Sequence, residues 1–270
     1  MPSESDPTAD GAAARPENGY WSVGKPRLFL STKSELGIPY AKPFFSVGYG
    51  MPHWIWAGVD VNAISTLEFV QGYAGVRASS PVLDLAFGAR DTWSFGKPLL
   101  TPAPSFTLSD VTDAPGPKAR YWALEAEAVA TAPLPHSALL AAFIVVRTLD
   151  IPEGRYLYDE SYRVVVKDSL FFVLRMSAIA RLLNEDSLRL AAVAEHVFGT
   201  GRGQGVWRLG PGASLQLTDH LELLAALTLY VSSPDELGLQ LGSYGIAGVR
   251  YRWASGEPNP EPPWGGDIIP

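Results

Sequence analysis

The 270-residue chain contains no cysteine. That removes disulfide staples, thiolate metal sites and cysteine nucleophiles together. It is also short of charge. Asp, Glu, Lys and Arg make up 18% of it, against about 25% in an average soluble protein. Lysine is scarce between residues 45 and 254. The net charge of −7 opposes nucleic-acid binding, which needs a basic face. No apolar run reaches the ~18 residues of a spanning helix. The glycine-rich "GTGRGQG" at 199–205 lacks the G-K-[ST] of a phosphate loop, and no helical pattern follows it. The histidines lack the paired spacing of metal ligands. No calcium or nucleotide signature occurs, so no cofactor is expected.

What is present is an alternation. Hydrophobic residues reach 47%, aromatics 11%, and glycine (26) and proline (23) are frequent. In "DSLFFVLRMSAIAR", Leu170, Phe172, Leu174, Met176, Ala178 and Ala180 share one face, and Arg175, Ser177 and Arg181 share the other. A period of two is the mark of a β-strand. "GIAGVRYRWASG" repeats it: Gly248, Arg250 and Arg252 point one way, Ala247, Val249, Tyr251 and Trp253 the other. Runs of about ten such residues alternate with turn residues such as "SSP", "APLP" and "IPEG". Some runs are Ala/Leu-rich, but alternation outweighs their helix propensity.

The spacing predicts fourteen strands: 26–34, 43–51, 53–65, 67–78, 81–95, 103–112, 118–131, 136–149, 155–167, 169–181, 186–198, 205–217, 219–232 and 239–254. The segments 26–34 and 103–112 are the least regular, and without both the count is twelve. Residues 1–22 lack the apolar stretch of a signal peptide and read as a disordered tail. Residues 23–254 form the β domain, and residues 255–270 read as a Pro/Gly-rich tail.

One face of the runs carries almost no charge, whereas a soluble sandwich would turn Lys, Glu and Thr to water on its outer face. A small soluble interior would not hold the other face either, because buried unpaired charge costs several kcal/mol per group. Turned inside out, the pattern fits an all-β, closed antiparallel up-and-down transmembrane barrel. Its apolar face meets lipid and its charged face lines an enclosed axis. The candidate pore-lining residues by phase are Asp60, Asp84, Arg90, Glu125, Glu127, Arg163, Arg175, Arg181, Arg189, Glu195, Glu222, Arg250 and Arg252. The acidic ones fall mainly in the first half and the basic ones in the second. That separation is able to set a transverse field across a pore. Arg90, Glu195 and Glu222 break it, and favour charges that simply pair across strands and close the barrel. Trp54, Trp93, Trp207, Tyr230 and Trp253 stand near run ends, as girdle aromatics do.

Residues 26–254 resemble a bacterial outer-membrane β-barrel. "GVRYRW" resembles the C-terminal assembly signal of that class, a glycine followed by aromatics three and five residues on, here Gly248, Tyr251 and Trp253. It departs in two ways: 17 residues follow Trp253, and Ile246 stands where a polar residue is common. The resemblance implies an outer-membrane location, both termini in the periplasm, and recognition of the last strand by the barrel-assembly machinery. It also implies export, so either the numbering starts after a signal peptide, with Met1 added, or the gene start is displaced.

The expected function is a passive channel or transporter for small polar solutes. A non-conducting structural barrel, a lipid-hydrolysing barrel enzyme and a soluble ligand-binding barrel are the alternatives. For the enzyme, His196 is the best base, since it falls on the apolar phase, but no serine or G-x-S-x-G accompanies it. His53, His136 and His220 sit at turns, where a solvated ring is expected. No catalytic residue is assigned.

Overall fold

Alternating runs can close on themselves only if each strand finds two antiparallel neighbours. The computed structural model describes residues 20–22, 25–96, 98–112, 120–149, 151–182, 187–238 and 243–256. Its strands are β1 (Arg27–Ile38), β2 (Ala41–Lys42), β3 (Phe44–Met51), β4 (Ile55–Ser65), β5 (Phe69–Ser79), β6 (Leu83–Ser94), β7 (Leu99–Leu100), β8 (Arg120–Leu134), β9 (Ser137–Leu149), β10 (Tyr156–Asp159), β11 (Val164–Val166), β12 (Leu170–Leu182), β13 (Leu188–Phe198), β14 (Val206–Gln216), β15 (Leu221–Ser232) and β16 (Tyr244–Ala254). A short helix, α1 (Leu108–Thr112), follows β7.

Thirteen of these segments, with β2 and β3 making one wall strand, close a twelve-strand barrel in sequence order, and β7, β10 and β11 form a separate small sheet. The barrel shuts where β1 meets β16, from Ser31 opposite Ala254 to Ile38 opposite Ala247. β2 runs on into β3 across Pro43, and both pieces pair with β1 and β4. Proline has no N–H for the ladder, which accounts for the break.

Fourteen strands is therefore too many, and the two that fall away differ from the least regular pair. Segment 26–34 is the true strand β1. Segment 103–112 is not a strand. Thr107 caps α1, its N–H and hydroxyl both donating to the Asp110 carboxylate at 2.7 Å, a T-x-x-D capping box. Segment 155–167 does not span either. It is a hairpin, β10 and β11, that turns back at Asp159–Arg163, with Arg163 in the left-handed region (φ 48°). Val164, Val165 and Val166 are all buried, so this run lacks a lipid-facing phase.

The two rims differ. One carries the tight turns 52–54, 80–82, 135–136 and 217–220, the start of β1 and the end of β16. The other carries the long connections β6–β8, β9–β12 and β15–β16. Short turns on one rim and long loops on the other are the usual division in barrels of this kind. We call these the lower and upper rims.

The outward face is apolar but for Arg147 on β9 and the Arg120–Asp91 pair near the upper rim. Leu28 is 78% exposed, and Leu30, Phe87, Leu139, Met176 and Leu227 are all exposed. Exposing each in water costs roughly 1.5–3 kcal/mol, a penalty that hydrocarbon removes. Trp93, Trp122 and Trp207 face outward at the upper rim, with Tyr251 and Trp253 below. Tyr230 takes the inward phase instead, opposite Arg208.

The closing seam is tight. At Gly248 an added Cβ would meet the Leu36 carbonyl and lie 2.7 Å from the Gly37 Cα. Neither backbone atom can swing aside. Gly248→Val is expected to lower the folded fraction sharply, read as loss of the heat-modifiable band on SDS gels; wild-type folding yield would contradict the packing argument.

Candidate functional site

The inward phase brings the charges of distant strands onto one axis, and the β10–β11 hairpin enters that axis from the upper rim. Its tip is held on all sides. Arg90 on β6 reaches Asp159 at 2.5 Å and Glu125 on β8 at 3.1 Å, and its guanidinium lies 5.0 Å over the Tyr162 ring. The Tyr121 hydroxyl donates to Glu160 at 2.9 Å, and the Tyr162 hydroxyl donates to Glu125 at 3.1 Å. Ser161 bonds Gln71 on β5. Arg208 on β14 donates to the carbonyls of Tyr162 and Arg163 at 2.9 and 2.7 Å. Arg90 and Asp159 are both fully buried.

Two apolar cores seat the hairpin. Leu157, Val164 and Val166 pack on the inner wall at Ile144, Val146, Phe171, Val173, Val197 and Val206. Tyr158 and Val165 face the other way, toward Leu100, Phe106, Val111 and Leu237 of the upper loops. The consecutive valines are apolar on both faces because both faces are covered.

Below the tip the wall charges pair. Arg77 meets Asp60 at 2.8 Å and Asp84 at 2.5 Å, with Glu127 at 4.0 Å. Glu195 takes Arg175 at 2.5 Å and Arg208 at 2.6 Å. Glu222 holds both Arg250 and Arg252, at 3.0 and 2.8 Å, and Arg250 also meets Glu35 at 2.7 Å. Beside the hairpin tip lies a cavity of about 210 Å³ lined by Lys42, Phe44, Tyr73, Arg77, Glu127, Tyr162 and Arg175, among others.

Of the thirteen charged residues singled out by phase, twelve lie on inward positions of wall strands. Arg163 is the exception. It belongs to the hairpin and bridges the upper loops, to Glu68 at 3.4 Å and to the Ser243 carbonyl at 2.9 Å. Phase reasoning passed over Lys33, Glu35, Arg77 and Arg208, each of which fits the same alternation in its strand. It also passed over Asp159, Glu160 and Tyr162, which a spanning-strand assignment conceals.

The histidines divide. His136 is exposed at its turn, as the turn position implies. His53 and His220 are partly exposed, each with one face covered by aromatic rings. The Trp21 ring sits 4.5 Å from His53 and 5.5 Å from His220, in a 3-10 turn at Tyr20–Ser22. His53 Nε2 donates to the Trp253 carbonyl at 3.2 Å, and His220 Nδ1 to that of Arg252 at 2.9 Å. Burial pushes His53 down to about 4, so the ring is neutral and clasps the end of β16. His196 faces outward, stacked flat on Trp207 at 4.0 Å and on Phe198 at 5.1 Å. Among the described residues no hydroxyl hydrogen-bonds to it, and no group of three metal-ligating side chains occurs. Gly248 takes the inward phase, and Tyr251 and Trp253 the outward one.

No family model matches the chain, and no curated protein does. Solved structures resemble it at low identity. The KdgM porin is 7% identical, with 83% of this chain and 98% of that one covered and a TM-score of 0.40. OmpTdeltaL8, a loop-deletion mutant of the Vibrio cholerae outer-membrane protein OmpT, is 8% identical over 84% and 99%, with a TM-score of 0.39. The translocator domain of the autotransporter NalP from Neisseria meningitidis is 14% identical over 84% and 88%, with a TM-score of 0.36. On its own geometry, a sheet closed on itself with an apolar exterior and charges turned to its axis, the chain is a transmembrane β-barrel of the outer-membrane type.

Proposed function

We propose that the protein is a channel of the bacterial outer membrane that passes small polar solutes, narrowed by its own β10–β11 hairpin. The observation that carries this reading is residual exposure within the barrel. Arg175 and Glu127 face the axis, yet their side chains keep 36% and 32% of their accessible surface, beside the 210 Å³ cavity. A lumen packed shut leaves its side chains no such surface, and a twelve-strand barrel is wider than the eight-strand size that side chains alone fill. Paired charges on the wall give a polar solute partners in place of water.

In this reading the lower rim, with the start of β1 and the end of β16, faces the periplasm. Gly248, Tyr251 and Trp253 are then the strand read by the barrel-assembly machinery. Catalysis has no such support, since His196 has aromatic rings for neighbours.

A second reading, a barrel that does not conduct, is favoured by the two apolar cores that fill the upper lumen around the hairpin. Planar-bilayer recording separates the two. The wild-type protein is expected to give small discrete steps. Replacing residues 153–167 with a short Gly/Ser linker is expected to enlarge them severalfold. Silence in the wild type with large steps in the variant would make the hairpin a plug and overturn the channel reading.

A further inference from the structure

A charge on the lipid side of a barrel strand is costly at depth and tolerated near the interface, where it finds a partner. Asp91 on β6 and Arg120 on β8 take outward positions and satisfy each other at 2.5 Å, and the Arg120 guanidinium lies over the rings of Trp93 and Trp122, at 5.0 and 5.6 Å. Arg147 on β9 also points outward, without such a partner. It is exposed, and among the described residues its side chain makes no hydrogen bond and no ion pair. Its direct neighbours are Leu124 on β8 and Leu170 on β12, both apolar and both exposed.

Strand register sets its height. Leu149, the last residue of β9, is opposite Trp122, and Arg147 is opposite the next outward residue down β8, Leu124. Trp93 and Trp122 are exposed at the upper rim, where girdle aromatics mark the boundary between headgroups and hydrocarbon. Arg147 is one outward position inside that boundary. Its long side chain reaches the headgroups from there, while its stem stays among acyl chains. Directly below it the wall is hollow. A concavity of about 340 Å³ lies on the outer surface, with Ala126 and Ala128 of β8 between Phe87 and Leu85 of β6 on one side and Val145 and Phe143 of β9 on the other. Val145 is the next outward residue below Arg147, roughly 7 Å along the strand. Phe143 stacks on Phe172, 5.9 Å away, which holds that side of the hollow in place.

We propose that Arg147 and the hollow beneath it bind one anionic phospholipid, the guanidinium holding the phosphate and an acyl chain lying over Ala126 and Ala128. Charge complementarity selects the headgroup. A guanidinium offers a fork of N–H donors that matches phosphate oxygens, and no carboxylate among the described residues competes for this one. The alanines select the chain, since they leave room at the level where Phe87 and Phe143 project. The membrane orientation proposed above decides only which leaflet supplies the lipid. Binding itself depends neither on that orientation nor on conduction.

Phosphatidylglycerol serves as the probe. The folded protein, titrated with it in detergent and read by native mass spectrometry, is expected to retain one lipid per barrel after the micelle is stripped. Phosphatidylcholine carries its own cation beside the phosphate, and is expected to be retained about tenfold less. Arg147→Gln is expected to weaken phosphatidylglycerol by the same factor, and Arg147→Lys to keep most of the binding. Ala128→Phe fills the hollow and leaves Arg147 in place. It is expected to weaken the long-chain lipid severalfold and to leave a short-chain phosphatidylglycerol unaffected. Inorganic phosphate at the same headgroup concentration is expected not to compete. The heat-modifiable band checks that each variant is folded, which outward substitutions at an exposed surface permit. Equal retention of phosphatidylglycerol by wild type and Arg147→Gln overturns the site. So does competition by free phosphate, and so does unchanged long-chain binding in Ala128→Phe. A barrel that never conducts but retains the lipid through Arg147 keeps this site and defeats the channel reading alone.

Discussion

Arg90→Ala is expected to lose about 3–5 kcal/mol of unfolding free energy, the cost of breaking a buried ion pair from one side. The arginine is fully buried, and two carboxylates depend on it. Without it, among the described residues, Asp159 stands at zero exposure with no cation and Glu125 keeps the Tyr162 hydroxyl alone. The hairpin tip then has to withdraw from the lumen or carry an uncompensated charge, and either outcome costs more than the lost contact area. Replacing both partners, as in Arg90→Met with Asp159→Leu, is expected to cost far less, because it removes the stranded charge along with the bond. Urea unfolding in detergent measures both variants. A single-variant loss below about 1 kcal/mol would show that Arg90 does not hold the tip.

The second large effect is on pH. Burial raises the Glu160 carboxyl from its ordinary 4.5 to about 7, against the opposing hydrogen bonds from Ser94 and Tyr121. The docked hairpin therefore holds this proton more tightly than an undocked one. Such a group favours docking fully below pH ~4.5. The advantage falls as the pH climbs toward 7 and is gone above it, a swing of about 3 kcal/mol at ~1.4 kcal/mol per pH unit. Hairpin amides are expected to exchange faster at pH 8 than at pH 5, after correction for intrinsic rates. Glu160→Gln, which cannot ionise, is expected to flatten that dependence. An equally steep profile in the glutamine variant would assign the titration to another group.

The barrel itself was legible because a strand with lipid on one side and charge on the other writes a period of two into its residues. Leu170 to Leu182 and Tyr244 to Ala254 are clear examples, while β9 departs from them, with an apolar inner face and Arg147 on the outward one. The miscount came from segments in which a different rule governs. Val164, Val165 and Val166 are consecutive apolar residues because protein covers both of their faces, and the T-x-x-D of Thr107 and Asp110 signalled a helix start within a supposed strand. Which charges face the axis also follows from phase. Who pairs with whom does not. Arg90 and Asp159 are 69 residues apart, and only closure of the sheet and folding-in of a loop bring them together. The ring contacts of His53 and His220 are hidden for the same reason, since nothing near either one in sequence announces Trp21.

The β1–β16 seam joins residues more than 200 positions apart, and this orders events in time. Until β16 is available, β1 presents an open edge with unmet N–H and C=O groups, which is costly in lipid and invites aggregation in water. Contacts so distant along the chain also form slowly. That edge stays open until the final strand has been delivered, and losing even the last few residues of β16 would leave an open, proteolysis-prone ribbon rather than a slightly weakened cylinder.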